Sequence, residues 1–170
     1  MATHPVLTIL AIRTPEYGDI GWLEVVVGYD FSLLGPLDVQ RWLRLRGARG
    51  EAGARMIALA GADLLDFGLR MWEACAEEIG YVPRPGARAW SIAQDRWRKA
   101  LLRESLDADL TEAALAAAIE GIYDQVGCPE DMLDLWSYRA PWQEALGRVN
   151  FTALYGFLGD RPAGITAAVA

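Results

Sequence analysis

The hydrophobic positions of residues 107–138 recur at the spacing of two consecutive helices. Apolar side chains three and four residues apart form one stripe along the first helix: Leu115, Ala118, Ile119, Ile122 and Val126. Asp109 is predicted to cap its start, with Glu112 as the reciprocal partner of a capping box. Gly127 is predicted to end it, because glycine readily adopts the left-handed conformation of helix C-termini. Pro129 suits the first turn of a second helix, whose buried face is predicted to be Met132, Leu135 and Trp136.

Two segments nearer the N-terminus fit more than one element. Residues 6–12 are a short apolar run that suits a strand or a buried helical turn equally well. Residues 22–29 carry apolar side chains at helical spacing, and Asp19 could cap such a helix. Their three consecutive valines favour a strand instead, since β-branched residues pack well in sheets. We favour a helix because glycines bound the segment on both sides.

Glycine and proline divide the middle of the chain. Pro36 or Leu37 is predicted to open a helix that buries Val39, Trp42 and Leu43, and residues 47–53 are predicted to be a polar connector. A long helical pattern then covers residues 54–79, interrupted by Gly61 and Gly68. Either the helix breaks near residues 61–63, or the glycines let another helix approach closely.

The last third of the chain is predicted to contain one long helix and several short ones. Ser91 and Gln94 form a capping box at the start of a helix whose apolar face is Ile92, Ala93, Trp97, Ala100 and Leu101. Beyond residue 138, residues 142–148 and 151–158 are each predicted to form a brief helix. Tryptophans on the apolar sides of predicted helices are expected in the core: Trp42, Trp72, Trp97 and Trp136.

These elements predict an all-α fold, an irregular multi-helix bundle of about six to eight helices, with a minor N-terminal β element as the one exception. A chain of 170 residues with 53% hydrophobic content suits a single helical domain over residues 1–170, with 161–170 as a loose tail. We expect a cytoplasmic protein, because no apolar run is long enough to cross a membrane and no signal peptide is apparent. Cys75 and Cys128 are expected to be reduced, partly buried thiols.

Charge is distributed unevenly along the chain. The formal net charge of −7 argues against nucleic acid as a partner, since binding to phosphates needs a dominant basic surface. No Lys or Arg lies between Arg103 and Arg139, where nine acids occur: Glu104, Asp107, Asp109, Glu112, Glu120, Asp124, Glu130, Asp131 and Asp134. Basic residues gather upstream, at Arg41, Arg44, Arg46, Arg49 and Arg55 and again at Arg96, Arg98, Lys99 and Arg103.

Motifs for common catalytic designs are missing from the sequence. His4 is the only histidine, which leaves no Ser-His-Asp or Cys-His arrangement and no multi-histidine metal site. Glycine-rich nucleotide motifs are also missing, so no cofactor is expected. Carboxylate pairs at helical spacing could hold Mg²⁺, although a solvated helix face is the commoner explanation: Asp63 with Asp66, Glu73 with Glu77, and Asp131 with Asp134.

Two segments resemble a bacterial domain-of-unknown-function family, number 2247, of helical proteins. Residues 18–43 are similar to its N-terminal signature, in which a tryptophan-containing helix leads through a Gly-Tyr step to a second helix. Residues 122–141 are similar to its C-terminal segment, and the matching positions are Ile122, Tyr123, Asp124, Pro129, Glu130 and Tyr138. The resemblance implies a helical fold and no catalytic residues.

The missing catalytic set and the acidic block favour a small acidic protein-binding domain, such as an immunity protein that covers the basic active-site surface of a bacterial toxin. The partner-binding residues would be Asp124, Glu130, Asp131, Asp134, Tyr138 and Arg139. One alternative is a metal-dependent enzyme built on Asp63, Asp66, Glu73 and Glu77. Another is an accessory subunit that uses exposed aromatic residues to join a complex.

Overall fold

The computed structural model describes residues 20–47, 50–59, 65–136 and 147–159. Within these ranges the protein is all-α, as predicted, and the eight helices observed agree with the expected number. The seven α-helices are α1 (Trp22–Asp30), α2 (Pro36–Arg46), α3 (Gly50–Ala58), α4 (Phe67–Ile79), α5 (Arg88–Asp107), α6 (Glu112–Gln125) and α7 (Phe151–Leu158). A 3-10 helix (Glu130–Leu135) lies between α6 and α7. The described residues contain no strand, and residues 6–12 and 161–170 lie outside them.

The chain divides after Ala100 into two compact units, here called the first unit and the second unit. The largest fully buried side chains of the first are Trp22, Leu43, Met56, Phe67, Met71 and Trp97. Those of the second are Leu102, Ile119, Met132, Leu135 and Leu154. The boundary falls within α5, so this helix contributes side chains to both cores. The expectation of a single domain over residues 1–170 stays a prediction.

Helix α1 resolves the ambiguity of residues 22–29 in favour of a helix. Val25, Val26 and Val27 are all buried, so the β-branched run reflects packing on several sides of the helix and not strand pairing. The helix begins after Gly21, and the Glu24 carboxylate accepts a hydrogen bond from the Gly21 N–H at 2.9 Å. Asp19, the predicted cap, lies outside the described residues.

Helix α2 begins at Pro36, and Val39, Trp42 and Leu43 are buried as predicted. Its last residue, Arg46, places the guanidinium carbon 4.2 Å from the ring centroid of Trp42 and pairs with Glu78 of α4. Trp22 donates its ring N–H to the same Glu78 carboxylate at 2.8 Å. One glutamate of α4 therefore joins the start of α1 to the end of α2.

Helix α3 corrects the prediction that residues 47–53 form a connector, because it begins at Gly50. The Glu77 carboxylate of α4 accepts hydrogen bonds from the first-turn N–H groups of Glu51 and Ala52, at 3.1 and 2.7 Å. At the other end, the buried Gln40 amide donates to the carbonyls of Met56 and Leu59, both at 2.8 Å. Distant side chains thus satisfy the end groups that a short helix leaves unpaired.

Truncation of Glu77 to alanine tests this cap. We expect the free energy of unfolding to fall by about 1–2 kcal/mol, because two backbone N–H groups lose their acceptor and the helix N-terminus loses a negative charge. Urea denaturation measures the change. Glu73→Ala on the same helix is the control, since the Glu73 side chain is 48% exposed and its pair with Arg70 should contribute less than about 0.5 kcal/mol. Equal losses in the two variants would refute the capping role.

The predicted continuous pattern over residues 54–79 corresponds to two helices. Helix α3 ends at Ala58 and α4 begins at Phe67, which agrees with the first of the two alternatives, a break in the helix, although residues 61–63 lie outside the described residues. Gly80 ends α4 in a left-handed conformation, with φ of 80°. Trp72 was expected in the core, but it is 47% exposed because the opposite face of α4, with Met71, Ala74 and Cys75, is the one that packs inward.

Helix α5 begins at Arg88, three residues before the predicted start. The Ser91 hydroxyl does not cap the helix but bonds to the Ala87 carbonyl one turn back. Ala93, Trp97, Ala100 and Leu101 are buried as predicted, whereas Ile92 is exposed. The earlier start of α5 does not change which face of the helix is buried. The spacing of the apolar residues therefore predicted four of the five positions correctly.

Helix α6, in contrast, begins later than predicted, after Thr111. The Thr111 hydroxyl accepts from the Ala114 N–H at 3.3 Å, whereas Asp109 has a φ of 49° and precedes the helix. The predicted partner Glu112 instead accepts from the Val149 N–H at 3.2 Å. The helix stripe at Leu115, Ile119, Ile122 and Val126 is buried as predicted, and Ala118 is half-buried.

The C-terminal helix α7 covers residues 151–158, as predicted. Asn150 caps its start by accepting from the Ala153 N–H at 3.2 Å, and Gly159 ends it in a left-handed conformation. The other predicted short helix, at 142–148, falls mostly outside the described residues, and Gly147 and Arg148 are not helical.

Candidate protein-binding site

Two consecutive residues with positive φ form the corner between α6 and the 3-10 helix. Gly127 has a φ of 85° and Cys128 one of 56°. The Cys128 N–H donates to the Tyr123 carbonyl at 2.9 Å, which satisfies an end group of α6. Pro129 then precedes the first residue of the 3-10 helix. The predicted glycine-proline corner is therefore present.

The 3-10 helix separates buried and exposed side chains into distinct rows. Three residues complete a turn of this helix, so side chains three positions apart are aligned. Met132 and Leu135 occupy the buried row, as predicted. Asp131 and Asp134 form a second row and Glu130 and Leu133 a third, all four of them exposed. Three carboxylates and one leucine therefore face solvent from six residues of chain.

Residues after α6 hold this helix against the rest of the second unit. The Trp136 ring packs edge-on against Tyr123, with centroids 5.1 Å apart. Trp136 also forms an isolated antiparallel bridge with Val149, and the Asn150 N–H donates to the Leu135 carbonyl at 2.9 Å. Helix α7 packs against the 3-10 helix. The exposed acids thus project from an element that is fixed at both of its ends.

Tyr123 marks the place where acids of the two elements approach one another. Partial removal from water raises the pKa of the Tyr123 phenol first, and Cys128, Asp124 and Glu130 raise it further, because a phenolate beside other negative groups is unfavourable. Asp124 belongs to α6 and Glu130 to the 3-10 helix. The fold therefore brings carboxylates from both elements to the same tyrosine.

The six predicted partner-binding residues divide into two groups. Asp124, Glu130, Asp131 and Asp134 are exposed on the second unit, and we call these four residues the acidic face. Tyr138 and Arg139 lie outside the described residues. The exposure of Leu133, which is 48% exposed in the same row as Glu130, was not predicted from the sequence. In a 3-10 helix, side chains three positions apart are aligned, and this alignment leaves Leu133 exposed. The sequence was interpreted as an α-helix, in which different side chains align.

The negative charge of the protein belongs to the C-terminal part of the chain. Residues 1–100 contain twelve acidic and twelve basic residues, whereas residues 101–170 contain eleven acidic and four basic ones. The whole formal charge of −7 is thus carried by the part of the sequence that forms the second unit. The acidic face therefore belongs to the part of the chain that carries the net negative charge.

The carboxylate pairs considered for a metal site have other contacts. Glu73 pairs with Arg70 at 3.4 Å, and Glu77 caps α3. Asp63 lies outside the described residues, and Asp66 is exposed at the start of α4. In the part of the chain that is described, no group of three or more His, Cys, Asp or Glu side chains could hold a metal ion.

The two cysteines lie in different environments, and both are free thiols. Cys75 is buried, as expected, and burial followed by the nearby Glu78 raises the pKa of its thiol to about 11. Cys128 was expected to be partly buried, but it is exposed because the positive φ at the corner turns it outward from α6. Its thiol lies 4.0 Å from an Asp124 carboxylate oxygen.

None of the described helices is long and apolar enough to cross a membrane. The resemblance to a family of helical proteins of unknown function, based on residues 18–43 and 122–141, stays a prediction. No family model, curated protein or solved structure matches the chain.

Proposed function

We propose that the protein is a small acidic binding domain that acts in the bacterial cytoplasm by covering a basic surface of a partner protein with its acidic face. An immunity protein that neutralises a toxin would work in this way. The observation that carries the proposal is the exposure of Asp124, Glu130 and the Asp131–Asp134 row at one corner of the second unit. The sequence contains no Lys or Arg at positions 104–136.

The negative charge of the acidic face supports it as the surface that a partner protein contacts first. A concentration of like charge steers an oppositely charged partner and raises the association rate, while like-charged molecules are rejected. The effect should weaken as salt rises, because the screening length is only about 8 Å at physiological ionic strength. A partner with a basic surface is therefore the class that fits.

The exposed leucine supports binding to a protein surface. Acidic rims position a partner, but apolar anchors near the centre of an interface contribute most of the affinity. Leu133 is the apolar side chain that the 3-10 helix exposes, in the same row as Glu130. A basic surface with an apolar depression would match both features.

Charge reversal on the acidic face tests the proposal. The tagged protein is co-expressed with the products of the genes next to its own, and a captured partner is titrated against wild type and Glu130→Lys/Asp134→Lys. We expect the Kd to rise about tenfold at low salt, because two attractions become repulsions. The difference should shrink at high salt.

The matched control is Asp30→Lys/Asp66→Lys, which changes the net charge equally at exposed positions of the first unit. Its Kd should stay within about twofold of wild type, since the salt screens exposed charges that do not belong to the binding surface. A partner that binds both double variants equally well, or none that co-purifies from any neighbouring gene, would contradict the proposal.

A further inference from the structure

A groove runs along helix α2, and all of its lining residues belong to the first unit. It has a volume of about 1090 Å³. Its lining comes from α1, the turn that follows and the outer side of α2: Tyr29, Ser32, Leu33, Leu34, Gly35, Pro36, Leu37, Asp38, Arg41 and Arg44. The groove therefore combines residues of three successive segments of one compact unit.

Leucine and arginine side chains alternate along the exposed side of α2, where Leu37 and Arg41 line the groove and Leu45 continues their row beyond it. Leu37, Arg41 and Leu45 lie four residues apart, so they form one row on the helix surface. Leu37 is 69% exposed and Leu45 is 78% exposed, which is unusual for leucine on a packed helix. Leu33 and Leu34 are buried beneath. An apolar floor beside an exposed leucine-arginine row is typical of a surface that receives another chain.

The charges of the groove favour an acidic occupant. Arg41 is exposed and makes no hydrogen bond or ion pair with any residue in the described ranges. Arg44 uses one guanidinium nitrogen on the Ile57 carbonyl, at 3.0 Å, and is otherwise exposed. The one acid, Asp38, accepts from the Gly35 N–H at 2.8 Å, and the N-terminus of α2 offsets its charge. Two guanidinium groups at the groove therefore retain N–H donors for a further hydrogen-bond partner.

We propose that this groove binds an acidic, leucine-bearing segment of a partner protein. Guanidinium groups bind carboxylates with paired hydrogen bonds, and the leucines of such a segment would cover the apolar floor. Nucleic acid fits less well, because two arginines neutralise few phosphates in a protein of net charge −7. The row from Leu37 to Leu45 extends about 12 Å at 1.5 Å per residue, which matches about two turns of a bound helix.

The inference is independent of the proposed function. It concerns residues of α1 and α2, whereas the acidic face belongs to α6 and the 3-10 helix. A partner of the groove must carry the charge opposite to that of a partner of the acidic face. Variants of one surface should therefore leave binding at the other unchanged.

Fluorescence anisotropy with a labelled helical peptide of repeating Glu-Glu-Leu units tests the groove. We expect saturable binding to the full-length protein that weakens with salt, and little binding of matched Gln-Gln-Leu or Glu-Glu-Gln peptides. Arg41→Glu should raise the Kd for the acidic peptide about tenfold, since an attraction becomes a repulsion. Arg41→Lys should retain part of the affinity, because it keeps the charge but not the paired hydrogen bonds.

Arg84→Glu is the matched control, because Arg84 is also exposed and the change in net charge is the same, but it does not line the groove. Its Kd should equal that of wild type, and thermal unfolding should show both variants folded. Equal binding by the Arg41 and Arg84 variants would overturn the proposal. Concentration-dependent self-association that Arg41→Glu abolishes would also overturn it, by identifying the occupant as a second copy of the chain.

Discussion

Replacement of Gly28 with alanine is expected to destabilise the protein by about 3 kcal/mol, although alanine is normally the better helix former. A Cβ at this position would lie 2.4 Å from one ring carbon of Trp97 and 2.7 Å from another. Both distances are shorter than any van der Waals contact. The added methyl would also lie 3.1 Å from a methyl of Leu34.

Trp97 cannot easily move away from an added methyl group. Its side chain is fully buried, and its ring N–H donates to the Glu24 carbonyl at 2.7 Å. A rigid aromatic ring that is fixed by a hydrogen bond transmits the strain to the backbone of α1, and overpacking of this kind is costly. Gly28 is thus needed for the close approach of α1 and α5.

Gly121→Ala provides the matched control for this prediction. Gly121 is also inside a helix, but it is exposed and a Cβ there would meet nothing within 4 Å. Alanine should therefore stabilise α6 by about 0.5–1 kcal/mol, which is the intrinsic difference between the two residues in a helix. Urea denaturation of both variants should give shifts of opposite sign. A stabilising effect of Gly28→Ala would show that Trp97 can be displaced at little cost.

Periodicity predicted which faces of the helices are buried more reliably than it predicted where helices begin. The stripe of α6 at Leu115, Ile119 and Ile122 and the buried row of the 3-10 helix were found correctly. The start of α6 was not, because Asp109 and Thr111 are both good caps and their order in sequence does not show which one the chain uses. Boundaries depend on single hydrogen bonds, whereas faces depend on many side chains.

Contacts between distant parts of the chain were not predictable from the sequence. Residues 47–53 looked like a connector because they are rich in glycine and polar residues, yet α3 begins at Gly50. The acceptor that stabilises its first turn is Glu77, some 26 positions away from Glu51. No local pattern identifies such a partner.

The candidate site was predicted in part. Four acids of the acidic face are exposed as expected, because hydrophilic residues on a one-sided helix rarely pack inward. The role of Leu133 was missed, since the difference between an α-helix and a 3-10 helix changes which side chains align. The groove along α2 was visible in the sequence only as a cluster of arginines, because its pattern does not show that Leu33 and Leu34 of the preceding turn lie beside them.

Replacement of Arg96 with methionine is expected to lower the free energy of unfolding by about 3 kcal/mol. Arg96 of α5 pairs with Glu24 of α1, whose side chain is only 3% exposed. Loss of one member leaves the other as a buried, uncompensated charge, and breaking such a pair typically costs about 3–5 kcal/mol. We expect the lower end of this range, because the Gly21 N–H still donates to the Glu24 carboxylate and the Arg96 side chain is 24% exposed.

A second substitution distinguishes a charge effect from a packing effect. Glu24→Gln keeps an oxygen that can accept from the Gly21 N–H but removes the charge. If the uncompensated charge is the cause, the variant Glu24→Gln/Arg96→Met should be more stable than Arg96→Met alone by about 1–2 kcal/mol. Chemical denaturation of the single and double variants measures this difference.

The exposed ion pair of α4 is the control, because it shows what the loss of an arginine costs when its partner is not buried. Arg70 and Glu73 are 51% and 48% exposed, so Arg70→Met should change stability by less than about 0.5 kcal/mol. A double variant that is no more stable than Arg96→Met would mean that the buried charge is not the cause. The loss of stability would then come from the aliphatic part of the Arg96 side chain, through its packing along α1, and not from its charge.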